Sequence, residues 1–500
     1  MKRIGFVKIA CVIAAFCVAT AVASFAQTFT SLASFDKTDG EAPWYSSVVQ
    51  GADGNLYGMT PFGGSSVSSF CSGCGTVYKI TPSGELTTIY SFCSQNNCTD
   101  GWEPFHGLTL GTDGNFYGTT QKGGANCIVS IGGCGTIFKV TPGGSLTTLY
   151  NFCEQAQCTD GSTPQAGLVQ GTDGNFYGTT WEGGAGGVGT VFKITPAGQF
   201  TTLHSFCLQA GCVDGSQPVA GLVQGNDGYL YGTTSSGGRH TRGTIFRVNS
   251  SAFTTLYAFC PQPGCSDGAD PTAPLIQASN GNFYGTAQVG GITTSCGPYG
   301  CGTIFQLTAT GEFSVLYSFC SETNCIDGTR PVAGLTQGSD GNLYGTTPGG
   351  GDAGVIFEIT PAGGYTVLHN FCRKSGCTDG LNPLAGVFQS TNGLFYGTTN
   401  TGGDSASCTN CGTVYSLSTG LGPFVEALPN AGRVGREIAI LGNNLKGTTS
   451  VAFNGTNATV INVTDTYIQV QVPTDATTGT IQVTTPSGTL SSNVAFQVEP

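Results

Sequence analysis

The sequence predicts an all-β protein: a seven-bladed β-propeller whose N-terminal strand closes the last blade, followed by an Ig-like β-sandwich. Three observations predict it. The string Tyr-Gly-Thr-Thr, or a near copy, begins at Tyr57, Tyr117, Tyr177, Tyr231, Tyr284, Tyr344 and Tyr396, at intervals of 52 to 60 residues. An Asp-Gly precedes each copy, at Asp39, Asp100, Asp160, Asp214, Asp267, Asp327 and Asp379. Between the Gly, Pro and Asp turns lie short runs rich in Thr, Val, Ile, Phe and Tyr, with no helical periodicity.

The third unit shows the grammar. Residues 166–170 form an apolar run, Asp173-Gly174 is a hairpin turn signal, and 175–180 form the second run. A Gly-rich loop leads to the third run, 189–195; Pro196-Ala-Gly198 turns the chain into the fourth, 200–206. Four short strands repeated radially is the pattern of a propeller blade. The seventh unit stops after its third run, near Leu417. The missing fourth run stands at the N-terminus, Thr28 to Phe35, followed by Asp39-Gly40 as Phe206 is followed by Asp214-Gly215. Pairing these ends closes a ring and removes its exposed sheet edges. Ala-Gly pairs at 166–167, 220–221, 333–334 and 385–386 fall where inner strands crowd together, and Pro274 suits an edge strand. The expected organisation is a signal peptide over 1–26, a propeller over 27–419 and a sandwich over 423–500, with strands at 435–442, 451–455, 468–473 and 479–485.

The first residues carry Lys2 and Arg3, an apolar run from Ile9 to Val22, then small residues. This is the grammar of a secretory signal, with cleavage after Ala23 or, preferably, Ala26. Later runs are too short for a membrane helix. The chain has 17 Lys+Arg against 29 Asp+Glu, a net charge of −12, and 80 Gly. That balance leaves no basic face for a phosphate backbone and excludes a nucleic-acid partner. The expectation is a secreted or cell-surface monomer.

Beyond the signal, twenty cysteines fall into ten close pairs. Six are C-x4-C: Cys93/Cys98, Cys153/Cys158, Cys207/Cys212, Cys260/Cys265, Cys320/Cys325 and Cys372/Cys377. Four precede a Gly-Thr: Cys71/Cys74, Cys127/Cys134, Cys296/Cys301 and Cys408/Cys411. In an exported chain without regularly placed His, such pairs read as local disulfides rather than zinc ligands. Loops this short are expected to be rigidified one at a time, with little effect on the rest of the fold. A sevenfold Asp set is also Ca²⁺ chemistry. Asp-Gly is ordinary turn chemistry, however, with the carboxylate capping local N–H groups, so no cofactor is expected. Gln50, Gln170, Gln224, Gln277, Gln337 and Gln389 recur at the end of the first run and read as hydrogen-bonding scaffold.

The cysteine pairs and the variable loops map to one face, where binding on a rigid scaffold is expected. The three tryptophans, Trp44, Trp102 and Trp181, map there too, with Glu103 and Glu182 beside two of them. Arg239, His240 and Arg242 add a basic spot. Aromatic rings near carboxylates suit sugar stacking and hydroxyl recognition. The expected function is non-enzymatic binding of a glycan or another extracellular polymer. Two alternatives stand beside it: polysaccharide cleavage by Glu103 and Glu182, and a structural or adhesive module whose partner is a surface protein.

The unit Asp-Gly-x-x-Pro…Gly-Leu-x-Gln-Gly-x-Asp-Gly-Asn-x-Tyr-Gly-Thr-Thr…Gly-Thr-Val-Phe-Lys-Ile-Thr-Pro resembles the GloVer tandem repeat of choice-of-anchor exported bacterial proteins, over roughly residues 28 to 418. The tail, with Gly442-Asn-Asn-Leu445, Val451-Ala-Phe-Asn-Gly455 and Val472-Pro473, resembles the IPT/TIG domain. The resemblance implies export and repetition and brings no catalytic residues.

Overall fold

A computed structural model describes residues 27–499, save 67, 69, 70, 127–133, 293, 294, 298, 407 and 409. The expected signal peptide and Cys127 lie outside the described residues. Seven four-stranded antiparallel sheets account for the repeats. In repeat 3 the order is Val169–Gln170, Phe176–Thr180, Thr190–Ile194, Phe200–Ser205. The β-branched and aromatic residues bury both faces of the middle strands: Phe176, Val191, Phe192 and Ile194 are fully buried. The seventh sheet consists of Phe388–Gln389, Phe395–Thr399 and Thr413–Ser418, with Thr28–Ser34 as its outer strand. Thr28 pairs with Ser418 and Ser34 with Thr413, as the repeat count requires.

The innermost strands are shorter than expected. Of 166–170, only Val169 and Gln170 pair with the second strand. The preceding Ala-Gly segment is engaged by the neighbouring repeat instead: Thr119 Oγ1 donates to the Ala166 carbonyl at 2.9 Å. The same bond runs from Thr179 to Ala220, Thr233 to Ala273, Thr286 to Ala333, Thr346 to Ala385 and Thr398 to Ser46. A second bond accompanies it. The glutamine ending six of the seven inner strands accepts the hairpin N–H of the repeat before it: Thr112 to Gln170, Thr172 to Gln224, Asn226 to Gln277, Ser279 to Gln337, Ser339 to Gln389 and Thr391 to Gln50, all at 2.8–2.9 Å. The last pair in each series joins the seventh repeat to the first.

Nine disulfides, not the expected ten, are formed among the described residues. The difference is Cys127/Cys134: Cys134 is buried, and its expected partner Cys127 lies outside the described residues. All six C-x4-C pairs are bonded: Cys93–Cys98, Cys153–Cys158, Cys207–Cys212, Cys260–Cys265, Cys320–Cys325 and Cys372–Cys377. These loops hold both cysteines in the left-handed region, as at Cys153 (φ 59°) and Cys158 (φ 53°), which costs backbone energy for any residue with a Cβ. The cross-link and the repeat aspartate hold the loop in this shape together. Asp160 accepts from the Glu154 and Gln155 N–H groups and from Tyr150 OH. The aspartates are therefore turn caps, as the Asp-Gly chemistry suggests.

The second cysteine of each pair also contacts a neighbouring loop through its backbone. Cys98, Cys212, Cys265 and Cys377 are left-handed like Cys158, with φ of 52°, 47°, 52° and 50°. That conformation turns each carbonyl toward two glycine N–H groups. The Cys98 carbonyl accepts from Gly101 and Gly124, Cys212 from Gly215 and Gly238, Cys265 from Gly268 and Gly291, and Cys377 from Gly380 and Gly403, all at 2.8–3.1 Å. The first glycine of each pair closes the Asp-Gly turn. The second belongs to the loop between the second and third strands of the following repeat, so this carbonyl links two loops. Cys98 and Cys377 also end short 3-10 turns, Asn96–Cys98 and Ser375–Cys377, which the aperiodic sequence did not predict. Four-residue loops are too short to display a helical period, so the turn is set by the cross-link and the aspartate instead.

Beyond Ser418 the chain forms two further four-stranded sheets. One contains Glu426–Leu428, Glu437–Leu441, Tyr467–Gln471 and Thr459–Val463; the other contains Thr456–Asn457, Ser450–Phe453, Ile481–Thr485 and Gly488–Ser491. They share one core, in which Ile438, Ile440, Val451, Phe453, Ile468 and Val470 are buried. This unit sits on the hairpins of repeats 1, 2, 3 and 7. Thr466 Oγ1 donates to the Ala52 carbonyl at 2.7 Å, Arg436 to the Thr172 carbonyl at 2.8 Å, and Asn443 to Thr391 Oγ1 at 2.7 Å. Leu441, Leu428 and Tyr467 pack into the cluster that contains Leu110. Among the described residues no helix is long and apolar enough to cross a membrane.

Candidate functional site

The chain entering each inner strand has one geometry in all seven repeats. A proline, such as Pro104, lies against a glycine of the preceding repeat; a Cβ on Gly75 would stand 2.5 Å from Pro104 Cδ. The residue before the proline is left-handed: Ala42, Glu103, Thr163, Gln217, Asp270, Arg330 and Asn382 have φ of 52–57°. The backbone repeats while the side chain does not, and six of the seven are polar. Non-glycine residues held in this region cluster at functional sites. Sequence reasoning missed this set apart from Glu103, because the strain lies in the backbone and the side chains share no type.

Two of these carboxylates take a cation that also rests on an aromatic ring. Glu103 pairs with Lys122 at 3.0 Å, and Lys122 Nζ lies 4.7 Å from the Trp102 ring centre. Asp270 pairs with Arg242 at 3.5 Å, and the Arg242 guanidinium lies 4.3 Å from the Tyr299 ring centre. Burial pushes the Asp270 carboxyl above its ordinary range.

The junction of repeats 1 and 2 departs from the common pattern at four positions. Where the other donor repeats have threonine, repeat 1 has Met59; where five repeats have alanine, repeat 2 has His106; where six have glutamine, repeat 2 has Leu110. Repeat 1 also carries one additional residue between Pro43 and Gln50, counted against Pro164 to Gln170. Aromatic rings gather here. Trp44 meets Phe62 and Phe105 edge-on at 5.1 and 5.4 Å. Tyr45 lies 5.2 Å from Phe105 and stacks on His106 at 5.4 Å. All five side chains are partly exposed. Burial pushes the His106 imidazole down to about 4, so it is neutral at pH 7, and its Nδ1 has no hydrogen-bond partner. Tyr45 and His106 line a cavity of about 240 Å³ to which all seven repeats contribute, with Gly167, Gly221, Pro274 and Gly386 among its walls.

The family model described as the Gloeobacter/Verrucomicrobia repeat matches residues 18–155, 128–295 and 289–493. The chain belongs to the Gloeobacter/Verrucomicrobia repeat family. No curated protein matches it. Among solved structures, a fungal alcohol oxidase of the AA5 family in complex with copper is similar in fold: 14% identity, TM-score 0.52, covering 95% of this chain and 99% of that one. A provisional 6-phosphogluconolactonase from Bacteroides uniformis matches at 15% identity and TM-score 0.42, covering 65% of this chain and 84% of its own.

Within these Gloeobacter/Verrucomicrobia repeats, the residues singled out from sequence do not assemble into one site. Trp44 joins the aromatic cluster. Trp102 and Glu103 are tied up with Lys122, beside that cluster. Trp181 donates its backbone N–H to the Thr163 carbonyl, and the exposed Glu182 accepts from Thr163 Oγ1 at 3.4 Å. Arg239 and His240 are exposed on repeat 4, where Arg239 borders an outer cavity of about 520 Å³ with Asp214 and Phe253, while Arg242 turns to Asp270. Tyr45, Phe62, Phe105 and His106 were not singled out from sequence. Their signal is departure from the repeat: an imidazole where five repeats place a methyl group.

Proposed function

We propose that the seven sheets form a closed seven-bladed propeller carrying an Ig-like, IPT/TIG-type domain, and that the protein is an exported, non-enzymatic binding protein for a glycan or similar extracellular polymer. Closure is supported by the outer strand Thr28–Ser34 and by the two series of inter-repeat bonds that return from repeat 7 to repeat 1. Export is supported by nine disulfides, which persist in oxidising compartments. Binding is carried by one observation: the aromatic cluster of Trp44, Tyr45, Phe62 and Phe105 reaches, through Tyr45, a cavity whose lining includes the neutral imidazole of His106. Partly exposed rings offer apolar faces to sugar rings, and a neutral imidazole offers a hydrogen bond. Glu103 and Glu182 each have local partners on separate repeats, which speaks for binding rather than for a paired-carboxylate hydrolase.

A glycan array on the exported protein tests this reading. Wild type should bind a restricted set of glycans, and Trp44→Ala and Tyr45→Ala should each weaken that binding at least tenfold. Unchanged binding in both variants would sink the assigned site. Release of reducing ends that is lost in Glu103→Gln would replace binding with hydrolysis.

A further inference from the structure

We infer that the cavity lined by the seven inner strands takes an uncharged sugar unit of the bound glycan. This rests on the glycan-binding reading above and goes further in naming the part of the glycan that is bound and where it sits.

The size comes first. A volume of about 240 Å³ is open between the inner strands, enough to admit a sugar ring with its hydroxyls. The neighbouring residues of a bound chain would meet Tyr45 at the cavity wall and Trp44 and Phe105 beyond it. The walls set the charge. No Asp, Glu, Lys or Arg lines the cavity among the described residues, and His106 is neutral. An ionised ligand would lose its hydration without a counter-charge, which costs far more than the loss for a hydroxyl that finds a partner. The polar handles set the chemical class. His106, Ser47, Thr109 and Thr336 border the cavity; the Thr109 and Thr336 hydroxyls donate to the Leu168 and Val387 carbonyls and keep their acceptor lone pairs. Hydroxyl groups can both donate to and accept from such a set.

The departure from the repeat points the same way. Five repeats place alanine at the position of His106, and an alanine there would leave the cavity without its imidazole. The preceding repeat changes with it, since Met59 cannot make the threonine-to-carbonyl bond found at the other junctions. That junction gives up a hydrogen bond and has Tyr45 and His106 stacked at the cavity wall.

Calorimetric titration of glucose, galactose, mannose and N-acetylglucosamine, with glucuronate and glucosamine as charged counterparts, tests the inference. At least one neutral sugar should bind and should compete for array binding, with the charged counterparts at least tenfold weaker. Gly221→Val narrows the cavity on repeat 4, away from the aromatic rings. A Cβ at Gly221 finds its nearest atom at 3.5 Å, so the variant should keep the wild-type Tm and lose at least tenfold in monosaccharide affinity. Should it fail to fold, His106→Leu removes the imidazole and should show the same loss. The inference is overturned if array binding persists in Gly221→Val with no competition from any monosaccharide, an outcome that leaves the aromatic site standing. Equal affinity for glucuronate would also overturn it. An array on which wild type binds no glycan would remove both the inference and the reading beneath it.

Discussion

Repeats 3 to 7 and the junction of repeats 1 and 2 follow one strand grammar yet serve different ends. At the regular junctions a threonine hydroxyl and a glutamine amide bridge adjacent sheets, so each sheet is held by the next in the same way. At the departing junction both bridges are gone. Met59 and Leu110 replace the donor and the acceptor, His106 enters the cavity wall, and Leu441, Leu428 and Tyr467 pack against Leu110. The Ala52 carbonyl beside it takes a hydrogen bond from Thr466. One junction thus carries two specialisations at its two ends: an aromatic cluster at one, and the seat of the C-terminal unit at the other. The regular junctions supply rigidity, and the irregular one supplies contacts.

The largest expected effect lies at the seventh sheet. Deleting residues 27–35 removes the six register pairs between the first strand and Thr413–Ser418, together with the fully buried Phe35. Burial of one such aromatic side chain contributes about 3 kcal/mol, so the total loss should exceed about 5 kcal/mol. Thermal unfolding followed by circular dichroism should show a much lower Tm; an unchanged Tm would mean that the seventh sheet does not depend on its outer strand.

A smaller effect comes from restoring the repeat where it departs. Leu110→Gln supplies the residue that the other six junctions use, but places an amide against Leu441 and Tyr467. The cost should be about 3 kcal/mol, felt mainly by the seating of the C-terminal unit. Scanning calorimetry should then resolve two transitions. One transition at the wild-type temperature would show that Leu110 does not hold that unit.

The smallest expected effect sharpens the same interface through pH. Glu426 lies two residues before Leu428 on one strand, so both side chains project to the same face. Burial pushes its carboxyl up to about 7 from an ordinary 4.5. Below the lower value both folded and unfolded chains are protonated and the group has no effect. As pH rises toward 7 the unfolded chain releases its proton first, so stability falls across that window. Glu426→Gln should leave stability at pH 4 unchanged and raise it by on the order of 2 kcal/mol at pH 8. Chemical denaturation at the two pH values checks this, and an equal effect at both would exclude titration as the cause.

Much of the fold is legible along the chain because it is local and repeated. Asp173-Gly174 turns the hairpin, Asp160 caps its own loop, and Cys153 finds Cys158 five residues away. The displaced strand 28–35 is legible because seven Asp-Gly units leave one fourth strand unaccounted for. The short inner strands were not legible, since the Ala166 carbonyl is taken by Thr119 from another repeat. The second bond of each stapled loop was hidden for the same reason: the Cys212 carbonyl meets Gly238 only after a whole hairpin has folded back. Nor was the candidate site legible. Trp102, Trp181 and Arg239 stand out by residue type, but their neighbours tie them to separate repeats. His106 becomes notable only once Tyr45 and the cavity are beside it.

The sequence by itself determined the repeat number, the strand order within each sheet, the cysteine pairing among the described residues and the scaffold roles of the aspartates and glutamines. These depend on dihedral preferences and on contacts within a few residues, which a repeated pattern displays openly. Only the tertiary structure decided which departures from the pattern act together. Met59, the His106–Leu110 segment and Leu441 are far apart in the chain, and packing between sheets, which is governed by shape and by the burial of apolar surface, assembles them at one junction.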